Sequence, residues 1–326
     1  MTSKDKKRLL VIDALNMYFR AYIVDPSLST NGQPIGGVKG FLKILQKLLR
    51  EMEPDAVVVC WDGAGGSHRR KKIVKGYKEG RKPIRLNRNI RNMTENEEIE
   101  NKVWQQTRLV ELLNNMPLIQ LMLPEVEADD LISWTVQHPK YSDWQKVIVS
   151  SDKDFFQLCD DQTVVFRPIQ KEVLNKNSIV DKYGIHPTNF ALARAIAGDK
   201  SDNLEGVGGV GLPTVAKRLP FLAEEKTYTL DEVKDYCSEV ESKVKAYTNI
   251  VEEFDKVIIN YRMMQLYAPS IPAQGKQQLR FAVEEFKPEL NKTEIRKMMI
   301  QDGFGEGNWN TMFQTFNRFT HEGQEA

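Results

Sequence analysis

The chain has 326 residues, of which 41% are hydrophobic and 28% charged, a balance typical of a globular protein with one large domain or two ordinary ones. No apolar run approaches the roughly 20 residues of a transmembrane helix, and Leu9–Leu15, interrupted by Asp13, is a poor signal peptide. The three cysteines are scattered and form no CxxC pair, which is typical of a reducing compartment. We therefore predict a cytoplasmic protein with no membrane association.

Short apolar segments alternate with helical patterns in the first half of the chain. Fully apolar strands are usually buried on both faces, so the pattern predicts an α/β fold with a mostly parallel central sheet flanked by helices. The predicted strands are Leu9–Ile12, Ala56–Trp61, Val147–Val149 and Thr163–Phe166, and the predicted helices are Val38–Met52, Asn101–Asn115 and Ala128–Gln137.

The second half of the chain is mainly helical. From about Pro187 onward strand patterns fade, and helices are predicted at Ala191–Ala197, at Pro213–Leu219 and, with interruptions, at Leu230–Met264. We therefore predict an α/β core over residues 1–186 and a helical subdomain over residues 187–326.

A basic segment interrupts the core. Between Arg69 and Arg91 the chain has eleven Lys or Arg residues and one acid, Glu79, although the net charge of the whole chain is only +1. A solvated surface normally mixes charges of both signs, so this run predicts a phosphate-binding segment. By composition alone it could also be a disordered basic tail.

Aspartates follow three of the four predicted strands: Asp13, Asp62 and Asp152. One such residue is usually a turn former or helix cap. Ligands of open α/β sheets, however, bind outside the carboxyl ends of the strands, and acids that converge there repel one another unless a cation compensates. Further acids lie at helix starts and turns: Glu127, Asp129, Asp130, Asp154, Asp199 and Asp202.

Oxygen ligands without a histidine or cysteine cluster suit hard cations such as Mg²⁺ or Mn²⁺. The four histidines are dispersed and have no zinc-binding spacing. Two such ions can activate water and stabilise the leaving oxygen in phosphodiester hydrolysis. The residues alone thus favour metal-assisted phosphoryl chemistry on a polyanion.

These acids occur in motifs that resemble the 5′-nuclease family, which includes bacteriophage flap endonucleases, phage ribonuclease H enzymes and the 5′-nuclease domain of bacterial DNA polymerase I. The resemblance covers about residues 9–220 and is closest in style to the phage enzymes. The motifs, in chain order, are Asp13 within Ile-Asp-Ala-Leu-Asn, Trp61-Asp62-Gly63, Glu127-Ala-Asp129-Asp130, Ser151-Asp152-Lys-Asp154 and Gly198-Asp199-Lys-Ser-Asp202-Asn203.

The resemblance implies two or more Mg²⁺ or Mn²⁺ ions and a structure-specific 5′→3′ exonuclease and flap endonuclease that acts in replication, including RNA primer removal. The first ion would be held, directly or through water, by Asp13, Asp62, Glu127, Asp129 and Asp130. The second would be held by Asp152, Asp154, Asp199 and Asp202.

The resemblance also gives the basic segment a role as a helical arch over about residues 68–108. Lys78 would stabilise charge at the scissile phosphate, and Arg70 and Arg81 would hold neighbouring phosphates. Arg85, Arg88 and Arg91 would line the path of a single-stranded 5′ end. Phe19, followed by Arg20, resembles an aromatic residue that stacks on a base, although Phe19 could equally be a core residue.

The segment Gly206-Val-Gly208-Gly-Val-Gly211 formally fits the dinucleotide-binding fingerprint. We reject that interpretation because the segment follows a helix and a turn, and no acid-ended strand follows at the required distance. It resembles instead the helix–two-turn–helix of 5′-nucleases, here over about residues 198–220, in which glycine backbone and a K⁺ ion hold duplex phosphates. Lys217 is a further phosphate-binding candidate or an ordinary solvated residue.

Expected partners are DNA with a 5′ flap or 5′ end and RNA–DNA primer duplexes. The aromatic residues of the segment Asn308–Phe319 predict a small C-terminal core or a docking site for a single-strand-binding protein. No polymerase motif follows, so we expect a free-standing monomeric nuclease, in the host cytoplasm if phage-encoded. Two alternatives stay open: a PIN-type ribonuclease, and a catalytically inactive nucleic-acid-binding module of the same fold.

Overall fold

The computed structural model describes residues 6–81, 84–87, 89–90, 93–305 and 309–321. The strands are β1 Arg8–Asp13, β2 Ala56–Cys60, β3 Ile119–Leu121, β4 Gln145–Val149, β5 Thr163–Arg167, β6 Glu172–Leu174, β7 Gly198–Asp199 and β8 Leu204–Glu205. The helices are α1 Ala14–Val24, α2 Gly36–Met52, α3 His68–Ile73, α4 Glu95–Leu113, α5 Ala128–Val136, α6 Lys176–Tyr183, α7 Pro187–Ala197, α8 Leu212–Arg218, α9 Leu230–Glu239, α10 Lys245–Glu252, α11 Phe254–Met264, α12 Ala273–Glu284, α13 Lys292–Gln301 and α14 Trp309–His321. Short 3-10 helices lie at Pro139–Tyr141, Asp154–Leu158, Lys200–Asp202 and Pro220–Ala223.

The chain divides into two compact units, and both are discontinuous. Unit 1 comprises Met1–Trp61, Pro83–Met122 and Pro272–Ala326, and unit 2 comprises Asp62–Lys82 and Leu123–Ile271. This division differs from the predicted boundary at residues 186/187. The chain leaves unit 1 after β2, returns for α4 and β3, and returns again for α12 to α14, so no single cut in the sequence separates the units.

Unit 1 contains the parallel strands β3, β2 and β1, in that spatial order. Strand β1 pairs with β2 in a register that places Leu9 opposite Ala56 and Asp13 opposite Cys60. Helices α1 and α2 pack on each other, and α14 packs on α2. Helix α2 buries an apolar stripe at helical spacing, which includes Phe41, Leu45 and Leu49.

Helix α4, also in unit 1, begins six residues before the predicted start at Asn101. Thr94 and Glu97 form a capping box that satisfies the free N–H groups of the first turn. The predicted arch segment is therefore helical in α3 and α4, whereas the described residues between those helices contain no helix.

Unit 2 contains the parallel pair β4 and β5, with β6 antiparallel to β5. Helix α7 packs against α11, α8 and the 3-10 helix Asp154–Leu158. It begins at Pro187 after a His186 cap, which is a favourable start because proline has no N–H to leave unsatisfied. The strand pairs of the two units are thus parallel except for β5–β6 and the two-residue β7–β8 hairpin, which confirms the predicted α/β class.

Within the described residues, no helix is both long enough and apolar enough to cross a lipid bilayer.

Candidate active site

Eight of the nine predicted metal-binding acids lie in unit 2. Asp62 follows β2 by two residues, and Asp152 follows β4 by three. The others occupy helix starts and short turns: Glu127 caps α5, Asp129 and Asp130 lie in its first turn, Asp154 opens a 3-10 helix, Asp199 ends β7 and Asp202 ends the next 3-10 helix.

Asp13 is the ninth acid and lies in unit 1. It ends β1 and is buried, and its carboxylate accepts the Asn16 N–H at 3.2 Å as the cap of α1. Asp13 therefore caps a helix, as a strand-terminal aspartate often does.

Glu127 is held by three side chains of the basic segment. Its carboxylate accepts a hydrogen bond from Arg70 at 2.5 Å, from Lys78 Nζ at 2.5 Å and from the Tyr77 hydroxyl at 3.2 Å. The residue is only 2% exposed, so these donors compensate for burial of its charge. The predicted acid and the predicted phosphate-binding cations are thus in direct contact.

Arg70 extends this network to Asp130. Its guanidinium donates to the Asp130 carboxylate at 2.8 Å and to the Met263 carbonyl at 3.0 Å. The second Asp130 oxygen accepts the Ser270 N–H at 2.9 Å. Asp130 is therefore fixed on both oxygens.

Lys78 has a backbone conformation that lysine rarely adopts, with φ at +57°. Its N–H donates to the Asp202 carbonyl at 2.9 Å, and the preceding Tyr77 is buried against Leu204, Met263 and Met264. A left-handed non-glycine residue costs about 1–3 kcal/mol and persists only where the surrounding structure holds it. The packing of Tyr77 and the Asp202 contact hold Lys78 in this conformation.

Asp62 is exposed to solvent, but neighbouring protein groups displace part of the water around its carboxyl. This partial desolvation raises the pKa of the carboxyl, although the Ala128 N–H, which donates at 2.7 Å, and the nearby Lys78 oppose the rise. The same hydrogen bond links Asp62 to the start of α5, where Glu127, Asp129 and Asp130 lie.

A second group contains Asp152, Asp154 and Asp199. The Asp154 N–H donates to Asp152 at 2.9 Å, which brings the two carboxyls together. Burial first, and the Asp152 charge second, raise the pKa of Asp154 to about 7, and burial also raises the pKa of Asp152. A cation beside these two carboxyls would favour their charged forms.

Arg194 of α7 bridges this group, and the sequence analysis missed it. Its Nε donates to Asp154 at 2.9 Å, and another guanidinium nitrogen donates to Asp199. Burial would raise the pKa of Asp199, but Arg194 and hydrogen bonds from Ser201 outweigh it, so the pKa is lowered. The available signal was that Arg194 is the one charged residue in the helix Pro187–Ala197.

Asp202 is bound by Arg81, whose Nε also donates to the Ser201 carbonyl at 3.1 Å. Because the Asp202 carbonyl accepts the Lys78 N–H, this residue joins the second group of acids to the Lys78 segment. Both groups and their cations, Arg70, Lys78, Arg81 and Arg194, thus belong to one unit.

Eight carboxylates outnumber the four cations described above. In the part of the chain that the structure describes, no three or more His, Cys, Asp or Glu side chains are arranged closely enough to hold a metal ion. The chemistry of the donor set nevertheless fits Mg²⁺ or Mn²⁺, because it consists of carboxylate oxygens.

The glycine-rich turn also lies in unit 2. It follows β8, a two-residue strand of the antiparallel β7–β8 hairpin, and precedes α8. A dinucleotide-binding fingerprint follows a parallel strand of a βαβ unit, so this turn is not one. A Cβ on Gly206 would lie 2.1 Å from the Ala197 carbonyl oxygen, so only glycine fits there. A cavity of about 650 Å³ is bounded by the turn and by Lys200, Asn203 and Lys256. Gly208, Gly211 and Lys217 are exposed.

The remaining nucleic-acid candidates lie in unit 1. Phe19 is half-buried, with its ring edge-on to Tyr18 at 5.4 Å between centroids, and Arg20 is also half-buried. Arg85 is exposed and pairs with Glu95 at 2.5 Å. Arg88 and Arg91 lie outside the described residues. In α14, Phe313 and Phe316 are buried, as expected for a small C-terminal core.

Comparison with known proteins decides the family. The family described as "5′-3′ exonuclease, N-terminal resolvase-like domain" matches residues 8–184, which include seven of the nine acids and the whole basic segment. The chain belongs to the 5′-3′ exonuclease family. This membership confirms the enzyme class that the ordered acidic motifs predicted.

Two curated relatives and one solved structure illustrate the relationship. A 5′-3′ exonuclease of Aquifex aeolicus is 28% identical over 296 residues, covering 88% of this chain and 89% of that protein. The thermostable DNA polymerase I of Thermus aquaticus is 33% identical over 215 residues, covering 66% of this chain but only 24% of that protein. The bacteriophage T5 flap endonuclease, in a pseudo-enzyme-product complex with DNA and metal ions, has the same fold (TM-score 0.64, 16% identity, covering 94% of this chain and 100% of that one).

Proposed function

We propose that this member of the 5′-3′ exonuclease family is a divalent-metal-dependent nuclease that cuts DNA or primer RNA near a free 5′ end during replication. It would act both as a 5′→3′ exonuclease and as a flap endonuclease, in the cytoplasm and as a monomer. The observation that carries the proposal is the network in which Arg70 and Lys78 of the basic segment bond to the acids Glu127 and Asp130. The bacteriophage T5 relative was solved with DNA and metal ions, which supports the substrate class and the metals.

The proposed metal ligands are the two groups of acids described above. Asp62, Glu127, Asp129 and Asp130 form the proposed set for one Mg²⁺ or Mn²⁺, together with Asp13 as the family resemblance implies. Asp152, Asp154, Asp199 and Asp202 form the set for a second. Bound divalent ions would lower the pKa of water and neutralise charge on the phosphate oxygens.

Lys78 and Arg81 are the residues that we propose to stabilise negative charge on the phosphates. The left-handed conformation of Lys78 and the hydrogen bond from its N–H to the Asp202 carbonyl fix the backbone from which the side chain extends. The ammonium is therefore preorganised. A preorganised cation beside the scissile phosphate stabilises charge that develops in the transition state without any cost of reorganisation at that moment. Arg81, bonded to Asp202 and Ser201, would bind a neighbouring phosphate.

Arg194 has a different proposed role, because within the described residues its hydrogen bonds are to Asp154, Asp199 and the Gly198 carbonyl. Its guanidinium is planar and carries several donors in a fixed arrangement. It would keep Asp154 and Asp199 oriented toward each other and limit their repulsion. Arg194 is thus a positioning residue that acts through the carboxylates.

Further proposed contacts with the nucleic acid lie in the basic segment and in the glycine-rich turn. Arg85, Arg88 and Arg91 would guide a single-stranded 5′ end, and Phe19 with Arg20 would contact bases near the cut. The backbone of Gly206, Gly208 and Gly211, with Lys217 and a K⁺ ion, would hold the duplex phosphates. A single-strand-binding protein remains a proposed partner of the C-terminal segment.

The requirement for a 5′ end can be tested with two labelled duplexes of the same sequence, one with a 5′ flap and one with a 3′ flap. In Mg²⁺ we expect short 5′-terminal products from the 5′ flap and no cutting of the 3′ flap. Equal cutting of both duplexes would contradict a 5′-nuclease and would favour a nuclease without 5′-end specificity, such as a PIN-type ribonuclease.

A further inference from the structure

One polar stripe in unit 2 contacts the backbone that surrounds the glycine-rich turn. It consists of Asn249, Glu253, Lys256 and Asn260, at successive spacings of four, three and four residues along α10 and α11. Asn249 lies in α10, Glu253 lies between the two helices, and Lys256 and Asn260 lie in α11. Each of them bonds to a backbone atom between Ala195 and Gly208.

The contacts with Gly208 are the most specific. Glu253 Oε1 accepts the Gly208 N–H at 2.9 Å, and Asn249 Nδ2 donates to the Gly208 carbonyl at 2.8 Å. Both backbone polar groups of one exposed glycine are thereby held by two side chains that lie four residues apart in the chain. A Cβ at position 208 would lie 3.1 Å from Glu253 Oε1, so the carboxylate approaches this glycine closely.

The rest of the stripe supports the same turn. Lys256 Nζ lies 2.5 Å from the Glu253 carboxylate and 3.4 Å from the Gly206 carbonyl. The buried Asn260 donates to the carbonyls of Ala195 and Glu205 at 3.0 and 2.8 Å, and so joins the end of α7 to the residue before the turn. Hydrogen bonds from Lys256 and from the Gly208 N–H lower the pKa of the Glu253 carboxyl, so it is ionised at neutral pH.

The turn depends on such external contacts because it supplies few of its own. The residues from Gly206 to Gly211 are four glycines and two valines. Val207 and Val210 are buried and anchor the turn to the rest of the unit. A segment this rich in glycine nevertheless loses much conformational entropy when it is ordered. Its exposed peptide groups therefore have a fixed direction only if something outside the turn holds them.

We propose that this stripe is a clamp that holds the glycine-rich turn in the conformation that receives the backbone phosphates of duplex DNA. Asn249 and Glu253 are then positioning residues for duplex binding, in a part of the chain that the 5′-3′ exonuclease family match does not reach. The inference rests on the proposed function of the turn as a duplex contact. Without the clamp, the turn would have to be ordered during binding, and that cost would appear as weaker affinity.

The test compares Glu253→Ala with Glu252→Ala in the full-length chain. Glu252 is the exposed neighbour, and both changes remove one negative charge, which alone should strengthen binding to a polyanion. The clamp predicts the opposite for Glu253→Ala: the dissociation constant of a flap duplex rises about three- to tenfold while kcat stays unchanged. Asn249→Ala should behave in the same way, and Glu253→Gln, which keeps an oxygen to accept the Gly208 N–H, should restore most of the affinity.

Hydrogen exchange at the Gly208 amide gives a second readout that does not depend on cleavage. Faster exchange in Glu253→Ala together with weaker duplex binding would support the clamp. If Glu253→Ala bound the duplex as tightly as Glu252→Ala, or lowered only the melting temperature, the residue would be structural and the proposal would be wrong. A wild-type protein that failed to cut any flap would contradict the proposed nuclease function, while duplex affinity and amide exchange would still decide the clamp.

Discussion

Asp154→Asn is expected to reduce flap cleavage roughly 10³-fold or more and to leave the metal-free protein at least as stable as the wild type. The loss of activity follows because Asp154 is a proposed ligand of the second metal and one end of the Arg194 bridge. Asparagine has nearly the same shape but lacks the negative charge that a hard cation requires.

The stability of this variant has a predicted pH dependence. Burial and the neighbouring Asp152 raise the pKa of Asp154 to about 7 from its ordinary value of 3.8, so ionising the carboxyl costs the folded protein free energy. The cost is absent below about pH 4, grows as the pH rises and is complete above about pH 7. Asparagine avoids it, so the advantage of the variant over wild type in EDTA should be larger at pH 8 than at pH 5.

Urea denaturation at the two pH values and single-turnover flap cleavage measure the two effects. Asp143→Asn is a matched control, because Asp143 is an exposed residue of the same unit and should change neither. An active Asp154→Asn enzyme would remove this residue from the catalytic site. A variant less stable than wild type at pH 8 would show that the Arg194 contact outweighs the repulsion from Asp152.

Lys78→Met is expected to lower kcat about 10²- to 10³-fold, with little change in the affinity for the flap. The ammonium is preorganised beside the acids by the left-handed backbone and the bond to Glu127, and its proposed contact with the scissile phosphate matters most in the transition state. Arg70 and Tyr77 still bind Glu127 in this variant, so the fold should survive.

Lys75→Met separates catalysis from general attraction to phosphate. Lys75 is exposed in the same basic segment, and its loss should weaken binding modestly, with a shallower salt dependence and an unchanged kcat. If both variants altered only binding, and by similar amounts, Lys78 would be an ordinary phosphate contact.

The sequence was sufficient to predict the elements that carry the site, because their signals are local. Four buried strands appear as short apolar runs, and the structure confirms each within two residues. The three-residue strands β3 and β6 were not predicted, since so few residues show no periodicity. The acids could be recognised because several follow strands or open helices, and their order matched one family.

Contacts that depend on tertiary packing could not be predicted. The Arg194 bridge requires α7 to lie beside the 3-10 helix that begins at Asp154, forty residues earlier in the chain. The contacts of Asn249 and Glu253 with Gly208 span more than forty residues. Their spacing along α10 and α11 is visible in the sequence, but nothing local indicates that the opposing surface is a glycine-rich backbone.

The central claim is that the acidic cluster of unit 2 is a metal-dependent 5′-nuclease centre. The most direct measurement is the cleavage of a 5′-labelled flap duplex by the wild type in Mg²⁺, beside the same reaction in EDTA and with Asp130→Asn. We predict cutting near the junction that EDTA abolishes and the variant lacks. A wild type that binds the flap but leaves it intact in both Mg²⁺ and Mn²⁺ would exclude a nuclease centre and indicate a binding module of the same fold.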